Sequence, residues 1–270
     1  EANREQGRDM EPIHPKKLIV PKQPSLVMTT SHYYKAVMMA YGISHFYAFE
    51  VEEDVHDILS IVPDGCVDFL FYCSKNYPYA SIIGTRLKAS PMIGKPGDYF
   101  FGIRFMPGKV ILPDTVNPNE LVEGEAALME FMKEEEVFDK IIQSRDFRAQ
   151  IQAFLNFYVN CNQEKLEHLE DRNLGNYLID EITRRAGNVK IEELGELTGY
   201  SVRYVNKVFK ENMGISPKTY CKIARFQTIL NSLKWEEDEK ELLAIAMNAG
   251  YYDQSHMMKD FRKYTNMTPV

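Results

Sequence analysis

The chain has 270 residues, of which 44% are hydrophobic and 26% are charged, and its formal net charge is −7. This is the composition of a soluble globular protein, and the length is sufficient for two domains. No apolar run approaches the roughly 18 residues that cross a membrane. Residues 1–15 are polar and lack the apolar centre of a signal peptide. These features predict a cytoplasmic protein without membrane contact, and Met10 is a candidate start of its first domain.

Short segments of alternating hydrophobicity occupy the first half of the chain. Turn signals separate them, such as Pro63-Asp64-Gly65 and Pro107-Gly108. In the first segment, one apolar face is predicted to carry Ile43, His45, Tyr47, Phe49 and Val51. Several short strands with turns between them predict a β-barrel or sandwich-like domain. The predicted strands are residues 43–51, 58–62, 67–72, 81–84 and 99–106.

Two charged residues, Asp68 and Arg104, lie in the middle of predicted strands. A charge that faces the core needs a partner, because burying it alone is costly. One interpretation is a structural ion pair, or two side chains that face outward. The other is a polar anchor for a small-molecule effector, bound in a cavity that Tyr47 and Tyr72 help to line. The sequence leaves both interpretations open.

The histidines and cysteines give no sign of a metal site or a disulfide framework. The six histidines include no His-X-His or His-Glu-X-X-His spacing, so neither a metal nor another cofactor is expected. His45 is expected to be a buried core histidine. Cys161, Cys221, Cys66 and Cys73 show no paired spacing. Reduced thiols are the expected state, with a sensor thiol at Cys66 or Cys73 as the alternative.

From about residue 118 the apolar spacing becomes helical. Helices are predicted within residues 121–132, 137–142 and 147–158, and one of them could mediate a homodimer. The polar residues 163–172 are a candidate linker, and residues 174–185 then begin a second, all-α domain. The predicted domains are a β-rich domain over residues 10–165 and a DNA-binding domain over residues 166–270. The fold class is α+β.

The second domain contains two similar helix-turn-helix patterns. In the first, a short helix stops at Gly199 and Ser201 caps a second helix. In the second, a short helix containing Leu242 stops at Gly250 and Asp253 caps the next helix. The spacing of equivalent residues is nearly the same in both patterns, which indicates an internal repeat. Ser216-Pro217 begins a longer helix that joins the two units.

These residues resemble the DNA-binding domain of the AraC/XylS transcription regulators over the last third of the chain. The motifs that carry the resemblance are Gly214-Ile215-Ser216-Pro217, Arg225-Phe226-Gln227, Ala244-Ile245-Ala246, Gly250-Tyr251-Tyr252-Asp253-Gln254-Ser255-His256 and Phe261-Arg262. The resemblance implies that each unit places one recognition helix in the major groove of duplex DNA. Gly195 departs from the family, which usually has Ala there, and is expected to weaken its helix by about 1 kcal/mol.

The N-terminal half carries a second and less informative resemblance. Residues 61–68 and 102–108 are similar to a poorly characterised β-rich domain that occurs fused to AraC-type DNA-binding domains. No general ligand of that domain can be transferred to this chain. The similarity therefore supports the two-domain arrangement alone.

The outward positions of the two recognition helices are the candidate DNA contacts. Arg and Lys can donate to guanine, and Asn and Gln can pair with adenine. Lys210 is expected to contact the phosphate backbone, and Arg225 either touches DNA or braces the two units. The candidates are Arg203, Asn206, Lys207 and Lys210 in the first unit, and Gln254, Ser255, His256, Met258 and Lys259 in the second.

The negative net charge does not exclude nucleic acid, because it is unevenly distributed. Residues 1–173 carry 18 basic and 26 acidic side chains, a balance of −8, whereas residues 174–270 carry 14 and 13, a balance of +1. A phosphate contact requires positive charge only locally. The balance in the second domain is therefore compatible with DNA binding.

The leading hypothesis is a sequence-specific DNA-binding transcription regulator, modulated by a small-molecule effector in the N-terminal domain. A non-sensing regulator, whose first domain only dimerises or recruits a partner such as RNA polymerase, is the main alternative. A DNA-targeted enzyme is disfavoured, because the chain has no Gly-X-Ser-X-Gly elbow and no phosphate-binding glycine loop. The sequence does not decide between activator and repressor.

Overall fold

The structure of the chain is a computed structural model. It describes residues 21–23, 32–51, 60–92, 94–130, 132, 135–169, 171, 173–232 and 239–268. The predicted domain start at Met10, the strand residues 58–59 and Phe131 lie outside the described residues. Among the helices that the structure describes, none has the length and apolar character needed to cross a bilayer.

The N-terminal half is built on an antiparallel sheet of six strands in the order β1-β2-β7-β4-β5-β8. A second sheet pairs two short strands, β3 and β6. No pairing joins β1 to β8 within the described residues, so the six-stranded sheet is open. The strands are β1 (Tyr33–Ala40), β2 (Ile43–Glu50), β3 (Ser60–Ile61), β4 (Val67–Tyr72), β5 (Tyr79–Ile83), β6 (Ser90–Pro91), β7 (Tyr99–Phe105) and β8 (Glu125–Ala127).

Both faces of the central strands are buried, which corrects the prediction of a single apolar face for residues 43–51. Phe46 and Ala48 pack into the core under the helices, whereas Tyr47 and Phe49 belong to a cluster on the opposite face. The pairing register of β2 shifts between Ile43 and His45. Alternation along the strand predicted one buried apolar face. Because other parts of the chain cover the sheet on both sides, both faces are buried in the core.

Three helices follow the sheet: α1 (Glu135–Gln143), α2 (Phe147–Cys161) and α3 (Gln163–Glu167). The first two match the predicted helices, and Phe154 and Tyr158 of α2 are buried against the sheet. The helix predicted within residues 121–132 is wrong, because this stretch contains β8 and a short 3-10 helix, Leu128–Glu130. Pairing with β5 replaces local helical spacing there. The predicted linker begins with α3.

The C-terminal part is all α-helical, as predicted. It contains α4 (Leu174–Arg184), α5 (Ile191–Thr198), α6 (Val202–Met213), α7 (Pro217–Ser232), α8 (Glu239–Asn248) and α9 (Gln254–Thr265). Helical spacing predicts that Tyr177, Leu178 and Ile182 of α4 face inward. Leu178 and Ile182 are buried, whereas Tyr177 is 42% exposed, so the prediction for Tyr177 is wrong. Leu197 of α5 lies at helical spacing from Leu194 and is likewise exposed.

Candidate DNA-binding surface

The first helix-turn-helix unit is formed by α5 and α6. The helix α5 ends at Gly199, whose φ of 72° lies in the left-handed region that favours glycine. The Ser201 hydroxyl accepts a hydrogen bond of 3.3 Å from the backbone N–H of Tyr204, which caps α6. Val205 and Phe209 of α6 are fully buried beside Leu194 of α5. Because this face is buried, the opposite face of α6 is the one available to DNA.

That opposite face carries the predicted contacts of the first unit. Arg203, Lys207 and Lys210 are exposed. Lys207 forms an exposed ion pair with Glu211 at 3.8 Å. Breaking such a surface pair costs little free energy, so Lys207 is available for a DNA contact. Asn206 is half-buried, and its amide donates to the carbonyl of Val202 at 2.8 Å. That amide must therefore exchange a local bond for any base contact.

The second unit repeats this construction with α8 and α9. The turn passes through Gly250, with φ of 82°, and Asp253 caps α9 by accepting from the N–H of His256 at 2.6 Å. Met257 and Phe261 are buried against Phe226 of α7. The two units therefore share one bridging helix and the same local rules for turn and cap.

The predicted contacts of α9 differ in accessibility. Ser255, His256 and Lys259 are exposed, and Gln254 is partly exposed. Met258 is half-buried and packs against the core of the second unit. Polar groups are thus concentrated at the beginning of α9, where a recognition helix generally meets the base edges.

Three exposed aromatic residues near the recognition helices were not among the predicted contacts. Tyr252, directly before the cap of α9, is 87% exposed. Tyr200 and Tyr204 flank the start of α6, with ring centroids 5.0 Å apart. Aromatic side chains next to helical segments are usually core residues, so the residue type alone did not mark these three as contacts. Their position directly around each turn is the signal that could have identified them.

Arg225 of α7 contacts the turn of the second unit. Its guanidinium donates to the carbonyl of Gly250 at 3.5 Å and lies 5.8 Å from the centre of the Tyr251 ring. Both contacts join the bridging helix to the turn of the second unit. These contacts attach Arg225 to the second unit, which is compatible with the bracing role that the sequence allowed for it.

A buried ionic cluster lies on the sheet face opposite α2. Arg104 of β7 donates to both oxygens of Asp68 on β4 at 2.8 and 2.6 Å, and pairs with Asp64 at 2.7 Å. The hydroxyl of Tyr47 also donates to Asp68, at 2.9 Å. Burial lowers the pKa of Arg104, but the two carboxylates beside it raise that pKa well above its usual value overall. The arginine is therefore held in its charged form.

Three of the four predicted effector contacts meet in this cluster, and the fourth does not. Asp68, Arg104 and Tyr47 bond to one another, whereas the hydroxyl of Tyr72 donates to Asp98 at 2.6 Å, away from them. The structural ion pair, one of the two alternatives at the sequence level, is present. The ionic groups satisfy each other without an added ligand.

A cavity of about 90 Å³ lies beside the cluster, between the sheet and the C-terminal helices. Asp64, Ser44 and Lys109 line the sheet side, and Tyr220 and Gln227 line the side of α7. Most of the remaining wall is apolar. Engineered cavities that bind benzene are larger, about 150 Å³. The cavity as it stands therefore admits only a small molecule.

None of the four thiols is in a disulfide, and most of them are buried. Cys66, Cys73 and Cys221 are buried, and Cys161 is exposed. Burial raises the pKa of Cys66 well above its usual value and that of Cys73 to about 12. A protonated thiol is a poor nucleophile, which weighs against a sensor role for either residue. In the described part of the chain, no cluster of His, Cys, Asp and Glu side chains is arranged to hold a metal ion.

Two capped helix-turn-helix units joined by one long helix define the class of the C-terminal domain. It is a double helix-turn-helix domain, the arrangement that the resemblance to AraC-type regulators implies. Residues 194–270 match the family described as "Helix-turn-helix domain". The family resemblance seen in the sequence is thereby confirmed for this part of the chain.

Curated relatives match the same region of the chain. An uncharacterized HTH-type transcriptional regulator of Haemophilus influenzae is 30% identical over 101 residues, which are 37% of this chain and 33% of that protein. The probable transcription factor PqrA of Proteus vulgaris is 28% identical over 94 residues, 35% of this chain and 75% of that protein. The matched region thus spans about a third of the first relative's length.

Solved structures of ToxT from Vibrio cholerae overlap a larger share of the chain. An unsaturated fatty acid-bound form covers 89% of this chain and 94% of its own, with 13% identity and a TM-score of 0.39. A second structure, from strain O395, covers 88% and 95%, with 12% identity and a TM-score of 0.39. These scores are too low to establish a shared fold.

Proposed function

We propose that this protein is a sequence-specific DNA-binding transcription regulator and not an enzyme. The observation that carries the proposal is the pair of capped recognition helices, each with a buried apolar face and a polar outer face. The relatives described as transcriptional regulator and transcription factor match this same region. A regulator that acts on DNA would work in the cytoplasm.

Each recognition helix has its own role in this proposal. Arg203, Asn206 and Lys207 of α6 would read base edges in one major-groove segment, and Lys210 would contact phosphate. Gln254 and its neighbours Ser255, His256, Met258 and Lys259 would read the adjacent segment. Helices about 34 Å apart meet the same face of B-DNA roughly 10 bp apart. One chain should therefore recognise a bipartite, non-palindromic site.

Binding titrations on a duplex selected from a random pool test the proposal. Arg203→Ala should relax base preference in one half-site and Gln254→Ala in the other, each at a cost of about 1–3 kcal/mol. Lys210→Ala should weaken all sequences alike and reduce the salt slope by about one. Lys140→Ala and Gln152→Ala are the controls for Lys210→Ala and Gln254→Ala. They change exposed residues of the same types in the N-terminal half and should leave DNA affinity unchanged.

Footprinting of the same duplex decides whether one unit or both units contact the DNA. Protection of two adjacent major-groove segments supports readout by both units. Protection of a single segment that is insensitive to Gln254→Ala would leave the second unit as a structural support. A chain that selects no duplex at all would overturn the proposed function.

We further propose that a small, largely apolar effector binds in the cavity between the sheet and α7. The cavity is bounded by Asp64, a carboxylate of the buried cluster, and by Gln227 of the bridging helix. An occupant would therefore touch both halves of the chain. In this proposal the Asp68–Arg104 pair supports the cavity from behind, together with Tyr47, and Tyr72 lies further away.

A thermal-shift screen of small compounds, none larger than benzene and most of them smaller, tests the effector proposal. Ala224 is a buried residue of the cavity wall, so Ala224→Leu should fill part of the space. A compound that raises the melting temperature of the parent protein, but not that of Ala224→Leu, supports a ligand in the cavity. A rise that persists in the variant assigns the ligand to another site. If no compound has an effect, the non-sensing regulator is favoured.

The same proposal includes two partners, a second copy of this chain in a homodimer and RNA polymerase. Sedimentation of the full chain, with and without the selected duplex, measures the first. Co-elution with purified polymerase measures the second.

A further inference from the structure

The bridging helix α7 has three packing faces. Ile223 packs into the core of the first unit, and Phe226 and Ile229 pack into that of the second. Gln227 belongs to neither core, although it is only 2% exposed. The third face, which carries this residue, is directed toward the N-terminal half of the chain.

The side-chain amide of Gln227 is held by backbone groups from that half. Its Oε1 accepts from the N–H of Lys22 at 2.8 Å. Its Nε2 donates to the carbonyl of Pro63 at 2.8 Å and to that of Lys22 at 3.3 Å. These three bonds use both donors of the amide and one of the two lone pairs of its oxygen. A buried amide with all these partners fixes the position of the helix that carries it.

The turn that receives Gln227 is itself anchored in the sheet. Asp64, next to Pro63, pairs with Arg104 of β7 at 2.7 Å. Asp64 also accepts from the side chain of Gln23 at 2.7 Å and from the backbone N–H of Cys66 at 2.9 Å. A continuous series of buried polar contacts therefore runs from the centre of the sheet to α7.

The N-terminal half also contacts each helix-turn-helix unit directly. Val62 is 1% exposed and belongs to the hydrophobic core of the second unit. Leu87 and Val122 pack against the core of the first unit. Gly65 has φ of 78°, and a Cβ there would lie 2.6 Å from the Tyr220 ring of α7. The sheet domain thus touches both units, on either side of the helix that joins them.

From this geometry we infer that the N-terminal domain acts as a splint that fixes the placement of the two recognition helices, with Gln227 as its positioning residue. The inference rests on the proposed DNA-binding function and adds to it a determinant of half-site spacing. Gln227 lies on the face of α7 that meets the sheet and acts on DNA only through the helices that α7 joins. Without its three bonds, the units should sample a wider range of relative positions.

A distance measurement without DNA tests the splint directly. Spin labels are attached at Glu196→Cys in the first unit and Lys263→Cys in the second, both exposed positions, in a background that carries Cys161→Ser. Gln227→Met keeps the side-chain volume but removes the three bonds. Gln152→Glu, on the exposed surface of α2, is the control for a glutamine substitution that should leave the splint intact.

The expected result is a narrow distance distribution in the parent and in Gln152→Glu, and one at least about twofold broader in Gln227→Met. Gln227→Glu provides a second variant if Gln227→Met does not fold, because it keeps the shape while removing both donors. Equal widths in the folded Gln227 variant and the control would overturn the inference.

Binding to a spacing series gives the functional readout. The duplex selected by the parent protein is altered by inserting or deleting 1 bp between its halves. An insertion or deletion of 1 bp moves one half-site along the DNA axis and rotates it around that axis. The parent protein should then bind the duplex about tenfold more weakly, an effect comparable to the loss of one base contact. The DNA affinity of Gln227→Met should fall by less than about threefold for the same change in spacing. At the best spacing, this variant should bind more weakly than the parent protein.

The two measurements separate the possible failures. A uniform loss of affinity, with spacing discrimination as in the parent, would make Gln227 a merely structural residue and overturn the inference. If the parent selects no duplex, the proposed function fails, and the distance measurement still decides whether the splint exists.

Discussion

Arg104 is the residue on which the interior of the sheet domain depends most. It supplies the positive charge facing two buried carboxylates, Asp64 and Asp68, and every donor distance in the cluster is below 3 Å. A buried pair contributes little relative to a well-packed apolar replacement, but the loss of one partner leaves a charge without compensation. The cluster is therefore more important for specifying the local arrangement than for adding net stability.

Arg104→Ala should destabilise the protein by about 3–5 kcal/mol, because it strands two buried carboxylates. Chemical denaturation measures the change. Lys140→Ala, which breaks an exposed pair with Glu136, serves as the control and should have no measurable effect. If Arg104→Ala instead stays as stable as the parent and loses only a ligand-induced rise in melting temperature, the residue is an effector anchor.

His45 should make stability depend on pH. It is buried, as the sequence predicted, and burial together with the charges of Arg104 and Lys35 lowers its pKa to about 2. Below about pH 6.5 the unfolded chain binds a proton that the folded chain does not, so stability falls as pH falls. The loss from this group should be about 2 kcal/mol between pH 7 and pH 5.

Denaturation of the parent and of His45→Gln across this range measures the difference in slope. Asp64 acts in the opposite direction, since burial raises its pKa, but it is present in both proteins. The parent should lose more stability on acidification than His45→Gln. Equal slopes would show that the pKa of His45 is not lowered in the folded protein.

At the scale of elements, the turn between α5 and α6 explains why Gly195 stands inside a helix. A Cβ at this position would lie 2.9 Å from the backbone carbonyl oxygen of Tyr200. That carbonyl cannot move freely, since Gly199 and the Ser201 cap set the path of the turn. Glycine lowers helix propensity, but it allows the turn to pass close to α5.

Gly195→Ala should therefore fail to give the gain of about 1 kcal/mol that helix propensity alone predicts. We expect a lower melting temperature, because the contact is with backbone rather than with a flexible side chain. Asn160→Ala, at an exposed position of α2, should raise stability slightly through propensity. A rise of similar size in Gly195→Ala would mean that the turn adjusts without cost.

The edge strand β1 shows the limit of local patterns for strands. Its sequence has no clean alternation, and Val37, at its middle, is exposed. Pairing with β2 forms this strand, and that pairing could not be inferred from residues 33–40 alone. The same holds for β8, which pairs with β5 where the sequence predicted a helix.

At the scale of the whole molecule, the two domains are connected by more than a linker. We predict that limited proteolysis cuts first within residues 163–172, where most described side chains are exposed, and that a fragment from Leu166 onward binds DNA. Mass spectrometry identifies the first cut. Preferred cleavage within residues 201–230 would contradict the predicted domain boundary.

The released fragment should melt at a lower temperature than the same helices do in the full chain. Val62, Leu87 and Val122 contribute to the hydrophobic cores of the two units, and the fragment lacks them. Exposing apolar surface that is buried in the full chain removes stabilisation in proportion to its area. Calorimetry of the fragment and the full chain compares the two.

The sequence alone determined the local features whose signals lie within a few residues. These are the glycine stops and polar caps of the two units, the Pro-initiated bridging helix, the exposed polar faces of α6 and α9, and the central strands. Only the tertiary structure decided which strands are buried on both faces. It also decided that Asp64 joins the pair of Asp68 and Arg104, and that Gln227 connects α7 to Lys22 and Pro63. The reason is physical. Caps and helix periodicity depend on neighbours along the chain, whereas burial, ion pairing and domain docking depend on residues that are distant in sequence and meet only in the folded protein.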